Sequence, residues 1–392
     1  MYQLATSSPK EPLLEALRQG VRQLMARFPA EYWRELDEHG AYPEAFMKAM
    51  TEAGYLAALI PEEYGGGGVG ITEASVILEE VNRAGGNAAV GHAQMYTMGI
   101  ILRHGSEEQK RRYLPKIASG QLRLQAFGVT EPNAGSNTLN IRTTAVRQGD
   151  DYIVNGQKIW TSRAQHSDLM ILLARTTPKS QVQKRTEGLS VFIVDMREAI
   201  GHGMTIKPIP TMINHHTTEV YFDDLKVPAE NLIGEEGLGF RYILHGMNAE
   251  RILIAAECIG DGYWFLEKAS AYANERAVFD VPIGAHQGVQ FPLAKAYINL
   301  RAADLMRFDA AQKYDRGERV GPEANMAKYL AAEASWEAAN VAMQTFGGFG
   351  FAREYDIERK FRETKLYQIA PISTNLILAY IGQHVLKLPK SY

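Results

Sequence analysis

Only one cysteine, Cys258, occurs in 392 residues, so no internal disulfide is available and packing must hold the fold. It lies in a helical run, where a thiol fills core more often than it reacts. Long apolar runs are missing too. None reaches the length of a bilayer span, and the opening Met1-Tyr2-Gln3-Leu4 has neither the basic region nor the cleavage box of a secretory signal. A cytoplasmic location is the resulting expectation, and a cysteine-poor chain suits a reducing compartment. Net charge is also scarce: a formal −3 gives no reason to expect nucleic acid or an anionic membrane surface as the main partner. Internal repeats and low-complexity tracts are absent. The length exceeds one ordinary domain and predicts two or three, with ample capacity for a buried core.

Three regions differ in texture. Residues 1–121 read as helical: Leu13, Leu14, Leu17, Val21 and Leu24 recur at helix spacing, Pro43 suits a first turn, and Ser106-Glu107-Glu108-Gln109 is a capping box. Residues 122–235 switch to period two and β-branched side chains, as in Tyr152-Ile153-Val154, Leu169 to Leu173, Leu189 to Val194 and Val220-Tyr221-Phe222. Asn155-Gly156 between two such runs predicts a hairpin. In residues 236–392 the helical period returns in long segments, Ile243 to Ala277, Leu293 to Tyr314 and Glu323 to Phe346, which predicts a helical bundle. The order helical, β-rich, helical makes the chain an α+β multidomain protein.

Two tempting motifs carry little. Gly65-Gly66-Gly67-Gly68 has no strand before it and no Lys-Ser or Lys-Thr after it, so it reads as a flexible connector and not a phosphate loop. His215-His216, taken as neighbours on a strand, point to opposite faces, and no cluster of Cys, Asp or Glu supports them. No metal is expected.

The segment Gln125 to Ser136, Gln-Ala-Phe-Gly-Val-Thr-Glu-Pro-Asn-Ala-Gly-Ser, ends an apolar run at Thr130-Glu131-Pro132, where proline lacks a ladder donor, and supplies Asn133, Gly135 and Ser136 in a tight turn. Backbone N–H groups in such a turn suit an anion or a heteroaromatic edge. The segment resembles the flavin-binding signature of acyl-CoA dehydrogenases, and further matches in the right order extend the resemblance over almost the whole chain. Gly156-Gln157-Lys158-Ile159-Trp160-Thr161-Ser162 is similar to the family strand that lays an indole against the flavin and aims a hydroxyl at its redox-active nitrogen. Arg276, Phe279, His286 and Gln287 resemble the segment that reaches the pyrophosphate of a flavin bound mainly by a neighbouring subunit, and Gln344-Thr345-Phe346-Gly347-Gly348 resembles a second segment of that kind. An arginine offers charge and donors to phosphate, and paired glycines permit close backbone approach. The resemblance implies FAD as cofactor, bound by Phe127, Val129, Thr130, Ser136, Trp160, Ser162, Arg276, Phe279, Gln287, Gln344, Gly347, Gly348, Ser373, Thr374 and Asn375. It also implies a β-barrel between two helical domains, the last a four-helix bundle, and a homotetramer built as a dimer of dimers.

The expected catalytic glutamate is missing from its usual loop. Most relatives carry Glu-Gly-Thr-Ser after the last Gln-Ile, whereas Gln368-Ile369 here continues Ala370-Pro371-Ile372-Ser373-Thr374-Asn375, with Pro371 in the glutamate's place. No proton can be taken there. Met247-Asn248-Ala249-Glu250-Arg251-Ile252 offers another carboxylate: on a helix, Glu250 joins the stripe that carries Ile243 and Leu253, and partial burial raises a carboxyl pKa toward the range that suits a general base. The isovaleryl-CoA and long-chain branches of the family place their base at this helical Glu-Arg position. Glu250 is therefore the expected base, and Ser136, Asn248 and Arg251 match positions that contact the acyl-CoA. His215 and His216 remain open as further contacts to it.

The implied reaction is α,β-dehydrogenation of an acyl-CoA thioester to the trans-2-enoyl-CoA, with electrons passed to an electron-transfer flavoprotein. Loss of the loop N–H at Pro371 moves the donor for the enolate oxygen to Ile372 or a neighbour. A base on the helix frees space near the acyl group and favours a branched or long chain. Alternatives left open are a flavin-binding relative that lost catalysis and serves as a scaffold, an acyl-CoA reductase or oxidase, and a flavin monooxygenase.

Overall fold

The computed structural model describes residues 11–390. Six helices come first: α1 (Glu11–Met25), α2 (Ala30–His39), α3 (Glu44–Glu52), α4 (Ile71–Arg83), α5 (Ala89–His104) and α6 (Glu107–Ala118). The β segment holds β1 (Leu124–Gly128), β2 (Thr144–Gln148), β3 (Asp151–Ser162), β4 (Leu169–Arg175), β5 (Leu189–Asp195), the short α7 (Met196–Ala199), β6 (Met204–Pro208), β7 (Thr217–Pro228) and β8 (Leu232–Ile233). Then follow α8 (Gly239–Glu275), a small ribbon of β9 (Ala277–Val278) and β10 (Val281–Pro282), α9 (Gln287–Asp315), α10 (Gly321–Phe346), α11 (Ile357–Lys365) and α12 (Thr374–Tyr380). The three texture regions read from the sequence are therefore present in that order. Contacts among the described residues divide the chain into two units, one of residues 38–69 and 89–250, the other of 11–37, 70–88 and 251–390.

The first unit is organised by an eight-stranded sheet of order β6-β7-β3-β2-β4-β5-β8, with β1 added in parallel to β4. One face buries Tyr152, Val154, Met170, Leu172, Phe192, Val194, Val220 and Phe222, which alternate with outward residues on the long strands as period two demands. Burial stabilises by about 25 cal/mol per Å² of apolar area, so this cluster contributes to the unit's stability. Helix α5 packs on β1, and the Gln125 side chain ties them by donating to the Val90 carbonyl at 2.7 Å. The capping box forms at α6: Gln109 N–H donates to Ser106 Oγ and Ser106 N–H to Gln109 Oε1, both at 3.1 Å. The same Gln109 amide then donates to the carbonyls of Glu230 and Leu232 at 2.7 and 2.8 Å.

Three sequence expectations need correction. The β2–β3 hairpin turns at Gly149-Asp150, since Gln148 pairs with Asp151, and Asn155-Gly156 lies inside β3 at a register shift against β7. Gly156 has φ +146, and a Cβ there would sit 2.5 Å from Thr143 Oγ1. The dipeptide marks a bulge, where an extra residue and a close backbone approach need glycine. The Gly65–Gly68 run is not a loose connector either: N–H groups of Gly66, Gly67 and Gly68 donate to the carbonyls of Pro61, Ala57 and Ile60 at 3.2, 3.1 and 2.8 Å. Finally, His215 and His216 precede β7 in an irregular loop and are not strand neighbours.

In the second unit α1, α4, α9, α10, α11 and most of α8 pack together. Alanines at 324, 327, 331, 334, 338 and 342 form a buried stripe on α10 at helical spacing, which lets α9 approach closely. Gly260 does the same for α8 and α4, because a Cβ there would meet the Glu79 carbonyl oxygen at 2.3 Å. Charge is buried with its partners: Arg307 donates to Glu79 and Asp304 at 2.5 Å and to Ser75 Oγ at 2.9 Å, while Arg18 reaches Glu79 at 2.8 Å. Such a network is retained only when each ion is compensated.

Candidate active site

In the sheet unit the turn after β1 is anchored by a side chain that sequence reasoning treated only as a strand ender. Glu131 accepts from the N–H groups of Arg142 and Thr143 at 2.6 and 2.9 Å and from the Lys158 ammonium at 2.8 Å. Burial pushes Glu131 upward, but the Lys158 charge and these hydrogen bonds bring it below the usual carboxylate range. Burial pulls the fully enclosed Lys158 down to about 8, so at neutral pH both remain charged. The Lys158 ammonium also donates to the Val129 carbonyl at 3.0 Å, and Ile159 N–H donates to the Thr130 carbonyl at 2.9 Å. The resulting frame fixes Val129 and Thr130 against β3, with Ser136 exposed at the far end of the turn. No local sequence signal joins residues 131 and 158, because the pairing depends on strand register.

Trp160 stands at the second register shift of β3 against β7, between Ile159 and Thr161. Its φ of +60 is rare for an aromatic residue, and the residue is 57% exposed. Ser162 closes the same strand and is half-buried. An exposed flat indole beside a framed turn is a surface for a heteroaromatic ring.

The candidate base lies on α8. Glu250 is only 3% exposed, more deeply enclosed than the sequence expectation of partial burial, and its charge bears on the Tyr96 phenol of α5. Burial and then the Glu250 charge hold the Tyr96 phenol well above its ordinary pKa, so it remains a donor. Tyr96 meets Phe127 edge-on with ring centroids 5.4 Å apart and stacks on His92 at 5.5 Å. Structure thus brings together Glu250 and Phe127 through Tyr96, a residue that sequence reasoning missed; its place on α5 gives it no motif. Asn248 is half-buried two residues before the base, and Arg251 is buried directly after it.

Near these groups a histidine cluster takes shape. Arg163, with φ +60, places Nη2 3.2 Å from His215 Nδ1, and His166 Nε2 lies 3.2 Å from His216 Nδ1. Tyr42 stacks on His166 at 4.1 Å. Burial, followed by the Arg163 charge, keeps His215 far below its ordinary pKa and therefore neutral. Among the described residues no group of three or more His, Cys, Asp or Glu is arranged to hold a metal.

The helical unit carries the other predicted residues. Arg276 and Gly348 line one cleft of about 560 Å³ with Tyr272, Thr345, Phe346 and Phe349, and the Arg276 guanidinium lies 6.0 Å from the Phe349 ring centroid. Gly347 ends α10 with φ +58. Gln344 is exposed on the last turn of α10, Gln287 opens α9, and Phe279 sits at the β9–β10 turn with 91% of its surface exposed. Ser373 caps α12 by accepting from Leu376 N–H at 3.3 Å, with Thr374 and Asn375 in the first turn.

Comparison with known proteins accounts for this combination. Family models of the acyl-CoA dehydrogenase N-terminal, middle and C-terminal domains match residues 12–121, 126–225 and 237–386. Over 381 residues the chain is 36% identical to the acyl-CoA dehydrogenase FadE12 of Mycobacterium bovis, covering 96% of this chain and 97% of that protein. It is 34% identical over 393 residues to the glutaryl-CoA dehydrogenase of Desulfococcus multivorans, covering 98% of each. Its fold is similar to that of a glutaryl-coenzyme A dehydrogenase solved as its glutaryl-CoA complex, with a TM-score of 0.91, 31% identity and coverage of 100% of this chain and 98% of that one. Fold and relatives define an oxidoreductase that acts on acyl-CoA, of the flavoprotein class. The chain belongs to the acyl-CoA dehydrogenase family. No helix among the described residues is long and apolar enough to cross a membrane.

Proposed function

We propose that the chain oxidises an acyl-CoA thioester to its trans-2-enoyl-CoA, with Glu250 as the base and FAD as the redox cofactor. The observation that carries this reading is the enclosed Glu250 carboxylate, whose charge bears on the Tyr96 phenol that meets Phe127 edge-on, in a chain whose C-terminal loop offers Pro371 where a base is usual. In this reading a Glu250 oxygen takes the α-proton. The β-hydrogen leaves with its bonding pair as the Cα–Cβ double bond forms. Bound FAD supplies the acceptor for that hydride. Negative charge gathers on the thioester oxygen as the proton leaves, and a backbone donor placed to meet it is commonly worth about 2.7–4 kcal/mol.

The donor set suits FAD. Trp160 offers a flat exposed face, Val129 and Thr130 are rigidly framed, and Arg276 brings a cation to an aromatic-lined cleft next to Gly347 and Gly348. Exposed Phe279, together with Phe291, Ile298 and Leu305 at seven-residue spacing on α9, supports an assembly of several copies, for which we propose a homotetramer. An electron-transfer flavoprotein is the proposed acceptor.

Anaerobic mixing of wild type and Glu250→Gln with acyl-CoAs of varied length and branching tests the reading. Selective flavin bleaching by thioesters, lost in Glu250→Gln, is expected. A bound flavin that no thioester bleaches overturns the reaction, and bleaching that survives the substitution removes Glu250 as base.

A further inference from the structure

Arg175 ends β4 only 8% exposed, and among the described residues its guanidinium meets no carboxylate. Its donors go to neutral oxygens: Nη2 to the Leu139 carbonyl at 3.0 Å, Nε to the Ile141 carbonyl at 3.4 Å and Nη1 to the Thr177 carbonyl at 3.4 Å. A buried cation is costly unless compensated, and three carbonyl dipoles supply the compensation here. One side chain thereby ties residues 139–141, which follow the Ser136 turn, to the loop between β4 and β5.

More positive charge gathers on the joined loops. Lys179 donates to Asn140 Oδ1, which makes a second tie. Desolvation first, and then the charges of Arg175, Arg185 and Arg142, hold the Lys179 ammonium below its ordinary pKa. Among the described residues none of Arg142, Arg175, Lys179 and Arg185 forms an ion pair. Neighbouring carboxylates are committed elsewhere. Glu131, which also bears on Lys179, accepts from Lys158 at 2.8 Å and from the N–H groups of Arg142 and Thr143, and Glu187 lies 3.9 Å from Lys184. Arg142, Lys179 and Arg185 are exposed. Like charges that are brought together by specific bonds, with no counter-charge from the chain, repel one another and form a site for a multiply charged anion. All four belong to the sheet unit, as does Ser136.

We propose that Arg142, Lys179 and Arg185, backed by Arg175, bind the 3′-phosphate of the CoA nucleotide; this rests on the acyl-CoA reading above and deepens it. A phosphate monoester carries about −1.5 to −2 charges at pH 7 and three acceptor oxygens, which suits an ammonium and two guanidiniums on an exposed rim. The cluster starts just beyond the Ser136 turn and faces solvent, as suits the end of CoA farthest from the reacting carbons. An acyl group carried on a bare pantetheine arm lacks this phosphate. The cluster therefore selects CoA as the carrier.

The test compares an acyl-CoA with the same acyl group on 3′-dephospho-CoA, using flavin-loaded wild type and R142Q/K179Q/R185Q, each checked for flavin content and thermal midpoint. Both thioesters keep the pyrophosphate, so their ratio isolates the 3′-phosphate. Wild type is expected to favour acyl-CoA by about tenfold or more in kcat/KM, mostly through KM, as charged hydrogen bonds allow. Added salt should shrink the preference, and the triple variant should lose most of it. R142K/R185K should keep part. Wild type that treats both thioesters alike overturns the proposal, and so does a folded triple variant with the full ratio. A variant weakened equally toward both, or slowed only with a protein electron acceptor, overturns it too, because the cluster then serves another anion. Should the triple variant fail to fold, K179Q and R185Q singly give the same ratio. Failure of the dehydrogenase reading is distinguishable: if no thioester bleaches the flavin, calorimetric titration of the same proteins with CoA and dephospho-CoA replaces turnover. Equal affinities in wild type then overturn the site, and a preference for CoA lost in the variant supports it.

Discussion

The Glu250 carboxylate bears on the Tyr96 phenol from a different helix, and its charge helps that phenol keep the proton it can offer to the proposed base. A hydrogen bond to a charged acceptor contributes about 1.5–3 kcal/mol and favours the ionised form. Tyr96→Phe should therefore raise the acid-limb pKa in a profile of kcat/KM against pH by about 1–2 units. An unshifted limb would mean that Tyr96 only lines the pocket.

Glu131 and Lys158 form a buried ion pair at 2.8 Å, with residue exposures of 7% and 0%. Removing one partner leaves the other charge enclosed and uncompensated, so Glu131→Gln should cost about 3–5 kcal/mol in urea unfolding, with K158M/E131Q recovering much of it. A loss below about 1 kcal/mol would show that water replaces the carboxylate at little cost. Flavin retention should weaken in the single variant, because the same bonds frame Val129 and Thr130.

Acid should weaken the fold before it protonates the folded histidines. Burial first, then neighbouring positive charge, brings His104 and His166 down to about 4. Unfolded histidine titrates near 6.5, so between roughly pH 6.5 and 4 the unfolded chain binds more protons and stability falls as pH falls. The thermal midpoint, followed from pH 7.5 to 5, should drop, and His166→Gln should flatten the slope. A profile unaffected by His166→Gln would assign the acid sensitivity to other groups.

Gly156→Ala puts a methyl group 2.5 Å from Thr143 Oγ1 and 2.6 Å from its Cα, at φ +146. Overpacking of this kind costs about 1–3 kcal/mol. Chemical denaturation should show that loss, whereas Gly149→Ala, whose Cβ meets nothing within 4 Å, should cost less despite its φ of +62. Equal losses would locate the effect in backbone conformation alone.

Elements with strong periodicity were legible in the sequence: the long helices α8, α9 and α10, the capping box at Ser106, and the strands rich in β-branched residues. Asn155-Gly156 misled because the same dipeptide serves a turn or a bulge, and only the pairing of β3 with β7 decides between them. At the site, Glu250 could be singled out because its loop counterpart had been replaced by Pro371. Tyr96 and Lys158 could not, since each acts through a partner 27 or more residues away and only tertiary structure creates those neighbours.

Cys258 is fully enclosed in α8, and burial pushes its thiol well above the ordinary range. A thiol that neither meets solvent nor ionises is silent to maleimides and to mild oxidants. The native chain is thus already a blank background for labelling: a cysteine introduced at an exposed position becomes the single reactive thiol of the chain, and a fluorophore or spin label can be attached there with Cys258 left in place.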